Sequence, residues 1–376
     1  MIYFDNAATT FPKPPDVVRA MVNCLKNIGG NPGRSAHPLA LAAANAVFEA
    51  RSEISSFFGG TKPENVIFTC NATHALNTAI FGILKPGDHV LISNLEHNSV
   101  WRPISELYRR GLISYTVFDA LGTCEQTLRA IEKALRRNTR AVICTHASNV
   151  CPKILPIKEI ASICRARGLY FVIDASQSAG IYELNITNGA SIICAPGHKG
   201  LYGPQGSGFC LFSDDFDFSH FSPLLFGGNG LNSAKAGMGT TPPESFEAGT
   251  LAVPNIAGLC AGVRFVKKCG TENIRKHEKL LFDRISSQLS DIKSIKLFIP
   301  CESEGATLLF CCEDIDSEKL SLALAEKGVC TRAGMHCAPL AHEALGTDGN
   351  AVRLSFSAFN TEKEADEFVR ILKTII

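Results

Sequence analysis

Seven short apolar runs, separated by longer amphipathic stretches, constrain this chain more than any other feature. The runs are Val66–Thr69, Asp88–Ile92, Ser114–Phe118, Ala141–Thr145, Tyr170–Ile173, Ser191–Cys194 and Gly208–Phe212. Helical patterns lie between them at Pro38–Phe58, Ala72–Leu84, Asn98–Arg110, Thr127–Arg137 and Ile157–Arg167. Strands that are apolar throughout must be covered on both faces, and strands separated by helices pair in parallel. The pattern predicts an α/β domain on a mainly parallel seven-stranded sheet.

After Pro254 the rhythm changes. A long helical region is predicted over Asn255–Leu289, then strands near Ser294–Phe298 and Thr307–Cys312. A helix at Ser317–Lys327, a strand at Val352–Phe356 and a last helix at Thr361–Thr374 follow. This reads as a second, smaller α+β domain. At 376 residues the chain is long for one core, which agrees with two domains. The Gly- and Pro-rich stretch Gly227–Pro254 marks the junction. The expected division is a large domain over 14–254 and a small one over 255–376, with residues 1–13 added to the small one as an extended arm. A helix is expected to begin near Asp16, and residues Val329–Ala341 read as a loop.

Composition narrows the partners. Apolar residues make up 45% and charged residues 19%, a globular composition without the signature of disorder. Thirty-seven basic against 36 acidic side chains leave a net charge of +1. That gives no electrostatic case for nucleic acid or an anionic membrane, so a small substrate is expected. The N-terminus has no basic segment followed by an apolar one, and the longest uncharged stretch, Val66–Leu84, contains Asn71, His74 and Asn77. Neither a signal peptide nor a transmembrane helix is predicted. The 15 cysteines are scattered with no Cys-x-x-Cys pair, so they are expected to be reduced thiols in a cytoplasmic protein.

Two positions carry the chemistry. Asp174 ends an apolar strand, where open α/β sheets bind ligands. Alone it reads equally well as a helix cap. Lys199 follows the next strand in Gly197-His198-Lys199-Gly200, flanked by glycines that let backbone approach a ligand. Alone it reads as a surface turn. Together they supply an acid for a pyridinium nitrogen and a lysine for an aldehyde, as a pyridoxal 5'-phosphate (PLP) site requires. Cys70-Asn71-Ala72-Thr73 joins a strand to a helix start, a place for a phosphate. His97 follows another strand and suits a ring-stacking role.

The chain resembles the class V aminotransferase superfamily of fold-type I, aspartate aminotransferase-like PLP enzymes. Within it the chain looks like the cysteine desulfurases and selenocysteine lyases. Tyr3-Phe4-Asp5-Asn6-Ala7-Ala8-Thr9-Thr10, Glu96-His97, Ser148-Asn149, Asp174-Ala175-Ser176-Gln177, Gly197-His198-Lys199 and Phe246-Glu247-Ala248-Gly249-Thr250 stand in the family's order. Arg332-Ala333-Gly334-Met335-His336-Cys337-Ala338 and Val352-Arg353-Leu354-Ser355 complete the set.

The resemblance implies that Lys199 binds PLP covalently, that Asp174 pairs with its ring nitrogen and that His97 stacks on the ring. It places Gln177 and Asn149 by the ring oxygen, and Ala72, Thr73 and His198 on the phosphate. Thr250 would reach the cofactor of the other subunit in a homodimer. Arg353 would hold the carboxylate of L-cysteine or L-selenocysteine, with Asn149 and His37 beside the substrate. Cys337 would accept sulfur as a persulfide and pass it to an acceptor protein. Its histidine and arginine neighbours, His336, His342 and Arg332, are expected to favour the thiolate. A metal on His336, Cys337 and His342 lacks a fourth ligand, so no metal is expected. The compact Cys337 loop resembles the second desulfurase group.

Three departures stand out. Pro196 replaces a Ser or Thr that donates to the phosphate, a loss on the order of 1.5–3 kcal/mol. Met335 stands where the second group often has histidine. The segment Gly227–Pro243 is expected to reshape the entrance, and Gly33–His37 reads equally as active-site lining and as a polar loop with a helix cap.

Overall fold

The computed structural model describes residues 1–33, 36–228 and 236–376. Arg34 and Ser35 of the Gly33–His37 segment and positions 229–235 of the expected entrance segment lie outside the described residues. The strands are β1 (Ile2–Tyr3), β2 (Val66–Thr69), β3 (His89–Ser93), β4 (Ser114–Phe118), β5 (Thr139–Thr145), β6 (Tyr170–Asp174), β7 (Ile192–Pro196), β8 (Gly208–Phe212), β9 (Ile295–Leu297), β10 (Leu308–Cys312), β11 (Val329–Cys330), β12 (Arg332–Ala333) and β13 (Val352–Leu354). The helices are α1 (Pro15–Asn27), α2 (Pro38–Phe57), α3 (Ala72–Ile83), α4 (Asn98–Arg109), α5 (Cys124–Ala134), α6 (Ile157–Arg167), α7 (Val253–Cys269), α8 (Thr271–Ser290), α9 (Ser317–Glu326), α10 (Pro339–Leu345) and α11 (Glu362–Leu372).

The seven expected runs form one sheet in the order β2-β8-β7-β6-β5-β3-β4. Six strands point the same way, and β8 is antiparallel to both of its neighbours. Alternate residues serve opposite faces. Val66, Phe68, Leu91, Val142, Cys144, Phe171 and Ile173 belong to one core, while Ile67, Val90, Ile92, Ala141, Ile143 and Val172 belong to the other. That double burial is why the inner runs carry no polar alternation, while edge strand β4, with Ser114 and Thr116, is only partly covered.

A second, antiparallel sheet has the order β12-β13-β10-β9. Its core joins Phe310, Leu354, Leu281, Ile285, Phe368 and Leu372, from β10, β13, α8 and α11. Ile2 and Phe4 of the arm share this core. The expected helix over Asn255–Leu289 is two helices. Gly270, at φ 82°, ends α7 and caps α8. The expected loop over Val329–Ala341 is likewise more structured, because β11, β12 and the start of α10 leave only residues 334–338 between elements.

The N-terminal arm ties the two sheets together. β1 pairs in parallel with β11, and Asp5 bridges to Ser355 beyond β13. A few residues on, Thr10 donates its amide and hydroxyl to the His198 carbonyl, and Lys13 Nζ donates to the same oxygen at 2.8 Å. From the other side, α7 presses glycines against the turn after Lys199. A Cβ on Gly262 would stand 2.3 Å from the Leu201 carbonyl oxygen and 2.8 Å from the Gly203 nitrogen.

Eight cysteines are buried, including Cys144, Cys151, Cys164, Cys194 and Cys210, while Cys70 and Cys301 are exposed. Burial pushes the Cys164 thiol up to about 12 and the Cys260 thiol up to about 11. No helix among the described residues is long and apolar enough to cross a membrane.

The close contact at Gly262 makes a prediction. Gly262→Ala forces backbone apart and is expected to lower stability by ~1–3 kcal/mol. Urea unfolding of the variant beside the wild type measures it, and Gly29→Ala, where no atom lies within 4 Å of the added Cβ and φ is not positive, is the control free of overpacking.

Candidate active site

A cavity of about 200 Å³ opens beyond the carboxyl ends of β6 and β7. Lys199, Asp174, Gln177, His97, Asn149 and Arg353 line it, with Ala72, Thr73, Pro196 and His198 at another wall. The structure therefore brings together in one place most of the residues that the sequence singled out.

The wall at α3 is a helix start. Asn71 caps it, accepting from the His74 amide at 2.8 Å. The amides of Ala72 and Thr73 belong to the first turn, which a helix cannot pair internally. They and the Thr73 hydroxyl are the donors this wall offers. β8 comes close behind, and a Cβ on Gly208 would lie 2.8 Å from the Asn71 carbonyl carbon. Pro196 lies on the same wall and contributes no N–H, as expected. His198 is nearby, and its Nδ1 is buried without a partner among the described residues.

Lys199 sits against this wall with a lowered proton affinity. Burial, partly opposed by Asp174, brings its amine down to about 8. Asp174 is buried at the end of β6, and its Oδ1 accepts from the Ser176 amide at 2.9 Å. His97 caps α4, its Nδ1 accepting from the Ser99 amide at 3.1 Å. Burial first, and then Lys199, push the His97 ring down to about 4, so it is uncharged at neutral pH. Gln177 is tied to the arm, its Nε2 donating to the Ala7 carbonyl at 3.1 Å.

Arg353 is 1% exposed and projects from β13. Its Nη2 donates to Asp5 at 2.7 Å and its Nη1 to the Asn149 carbonyl at 3.0 Å, while Nε has no partner among the described residues. The Asp5 carboxylate thus occupies one arm of the fork from within the chain. Sequence reasoning missed this. The opening motif carried Asp5, but nothing local signals a partner 348 residues away.

Cys337 is half-buried, with Arg332 Nη2 at 3.6 Å from Sγ. The arginine is placed as expected, and the histidines are not. His336 and His342 are buried and bonded to each other at 3.0 Å, and no hydrogen bond links either ring to the thiol. Burial holds His336 down at about 3 and His342 at about 4, so neither is a cation beside Cys337. With their nitrogens engaged by each other, the Arg332 carbonyl and Thr347, these rings offer no free lone pair to a metal.

The glycines beside Lys199 also differ from expectation. A Cβ on Gly197 would meet Ser207 Oγ at 2.1 Å, and one on Gly200 would meet the Ala179 carbonyl at 2.4 Å. They are small because protein, rather than ligand, approaches. Three expected site residues, Cys337, His37 and Thr250, do not line the cavity within this one chain. His37 is exposed and caps α2, accepting from the Ala40 amide. Thr250 is exposed, with Asn31 at 3.5 Å from its hydroxyl. Its loop is anchored by the buried pair of Glu247 with Arg51.

Comparison with known proteins agrees with this geometry. A model of the family described as aminotransferase class-V matches residues 2–368. The chain is 34% identical over 370 residues to a probable cysteine desulfurase of Methanothermobacter thermautotrophicus, covering 96% of this chain and 92% of that protein. It is 30% identical over 385 residues to a probable cysteine desulfurase of Mycolicibacterium paratuberculosis, covering 100% of this chain but 55% of that protein. Among solved structures, the apo cysteine desulfurase of Thermococcus onnurineus NA1 superposes with a TM-score of 0.92 at 30% identity, covering 100% of this chain and 94% of that one. A fold of this shape, carrying a buried lysine and acid at the ends of adjacent strands, belongs with these proteins: the chain is a member of the aminotransferase class-V family.

Proposed function

We propose that the chain is a PLP-dependent cysteine desulfurase that converts L-cysteine to L-alanine and leaves a persulfide on Cys337. The observation that carries the reading is the meeting of Lys199, Asp174 and Arg353 in one cavity whose rim holds the Cys337 loop. The relatives named above support the same reaction.

The donor set suits the cofactor. The Ala72 and Thr73 amides, the Thr73 hydroxyl and the unpartnered His198 ring suit a phosphate. Asp174 suits a pyridinium, the uncharged His97 ring suits stacking, and Gln177 and Asn149, which line the same cavity, would suit a phenolic oxygen. PLP, when bound, supplies an electron sink for negative charge at the substrate α-carbon. Lys199, already inclined to lose its proton, moves the α-proton. Arg353 orients the substrate carboxylate, which must share the guanidinium with Asp5 or displace it. Arg332 stands beside the Cys337 sulfur, which takes the substrate sulfur as its thiolate. The substrate C–S bond breaks and an S–S bond forms, so L-cysteine and one thiol give L-alanine and one persulfide. An acceptor thiol then removes the sulfane sulfur.

The finer assignments belong to the same proposal. The large unit is residues 14–254, and the small one is 255–376 with the arm 1–13. The active form is a homodimer in which Thr250 reaches the other subunit's cofactor and His37 lies toward its substrate. The exposed stripe Val18, Val22 and Leu25 on α1 supports a covered face. A cytoplasmic location, an acceptor protein that docks close to the short Cys337 loop, and turnover of L-selenocysteine complete the reading.

Two measurements test it. Alanine release from L-cysteine with a reductant, and from L-selenocysteine, is followed for wild type, Lys199→Ala and Cys337→Ala. Both variants are expected to lose L-cysteine turnover, with only Cys337→Ala retaining selenocysteine turnover. A wild type that retains PLP yet turns over neither substrate would sink the proposal. In the second, the apo protein is mixed with PLP and retention is read by visible absorbance across pH. An ordinary lysine would keep gaining reactivity beyond about pH 10, whereas retention here is expected to level off near about pH 9. The reason is that burial leaves Lys199 mostly deprotonated above its value of about 8.

A further inference from the structure

The segment between β12 and α10 carries an unusual backbone. His336 and Cys337 are consecutive residues with φ of 48° and 56°. Side chains disfavour that region, so neighbours must hold the segment there. Three backbone contacts contribute. Asn149 Nδ2 donates to the His336 carbonyl at 2.8 Å, the Asn98 amide donates to the Cys337 carbonyl at 2.8 Å, and the Ala338 amide donates to the Met335 carbonyl at 2.9 Å.

A fourth contact runs through side chains, and its direction follows from one fixed point. The Arg332 carbonyl can only accept, and His336 Nε2 lies 3.0 Å from it, so Nε2 carries the hydrogen. In a neutral ring Nδ1 must then accept. His342 Nε2, at 3.0 Å, is the donor to it. His342 Nδ1 is left as an acceptor, and the Thr347 hydroxyl donates to it. The order is Thr347 to His342 to His336 to the Arg332 carbonyl. His342 is fully buried and His336 is 3% exposed, so water does not replace a missing link. Burial pushes both rings below their usual range and keeps them neutral, as the order requires. The residue at the receiving end, Arg332, is the one whose guanidinium stands 3.6 Å from Cys337 Sγ.

We propose that His342 is a positioning residue: through His336 it locks the segment 334–338 and Arg332 into the arrangement that presents the Cys337 thiol to substrate. This rests on the reading of Cys337 as the sulfur acceptor. His336 lines the cavity but has both ring nitrogens engaged, and His342 lies behind it off the lining. Their part is to fix the loop before substrate binds, so that sulfur transfer feels their loss and proton transfer at Lys199 does not.

The test separates those two steps in the PLP-loaded enzyme. His342→Leu removes the donor to His336. The kcat for alanine formation from L-cysteine is expected to fall about tenfold, the worth of one buried hydrogen bond. Exchange of the α-proton of L-alanine with deuterated water, which uses Lys199 but not Cys337, is expected to stay within about twofold of wild type, well under one hydrogen bond's worth. His342→Gln can still donate to His336 and is expected to recover most of the kcat. Thr347→Val removes the donor at the far end with little change of volume; it should show the same split, and it stands in if leucine is not tolerated. Unchanged kcat, or kcat and exchange falling together, overturns the proposal.

A second readout does not depend on the reaction. Iodoacetamide labelling at about pH 10, where exposed thiols are ionised, reports access alone. Labelling of Cys337, located by mass spectrometry, is expected to quicken at least about fivefold in His342→Leu as the loop loosens, comparable to losing one hydrogen bond. The exposed Cys70 and Cys301 should label unchanged and serve as internal standards. Equal Cys337 labelling in both proteins overturns the positioning role. If Cys337→Ala turns over L-cysteine normally, the reading of the thiol fails instead, and the labelling result still decides what His342 does.

Discussion

Keeping one lysine amine out of water is the constraint around which this molecule is arranged. An isolated buried ammonium is unfavourable, and the chain answers by lowering its proton affinity and placing a carboxylate near it. Each wall of that enclosure comes from a different part of the sequence. β6 supplies Asp174, α3 offers its unpaired amides, α7 presses glycines against the turn beyond, and the arm closes over the His198 carbonyl. Moving any one of them would admit water and return the amine to its ordinary behaviour.

The arm has a second consequence. A buried guanidinium needs partners, and Arg353 finds one in Asp5 and another in the Asn149 carbonyl. Asn149 in turn steadies the Cys337 segment through the His336 carbonyl. Arg353 and the Cys337 segment are therefore joined by one asparagine, with its backbone meeting the first and its side chain the second.

Much of this was legible in the sequence, and the limits have a physical pattern. The strands were visible chiefly because burial on both faces removes polar alternation from all but the edge strand β4, and all seven form the sheet. Lys199, Asp174, His97, Gln177, Asn149 and Arg353 were named from motif order, and they do line one cavity. What sequence hid were relations between distant positions. Asp5 with Arg353, Lys13 with His198, and the mutual bonding of His336 and His342 leave no local trace. Local rules also misjudged cause. Gly197 and Gly200 looked like ligand-facing residues but are squeezed by Ser207 and Ala179. His336 and His342 looked like cations beside a thiol, whereas burial discharges them. The break at Gly270 went unread because the helical pattern continues on both sides of it.

The many buried cysteines take on a meaning of their own in a protein that handles sulfane sulfur. A persulfide exchanges with any thiolate it can meet, so a chain with 15 thiols risks scattering its cargo over itself. Cys144, Cys151, Cys164, Cys194 and Cys260 are packed away and held protonated by that packing. The hydrophobic core thus acts as insulation, leaving a cysteine-rich chain with few places where sulfur can go astray.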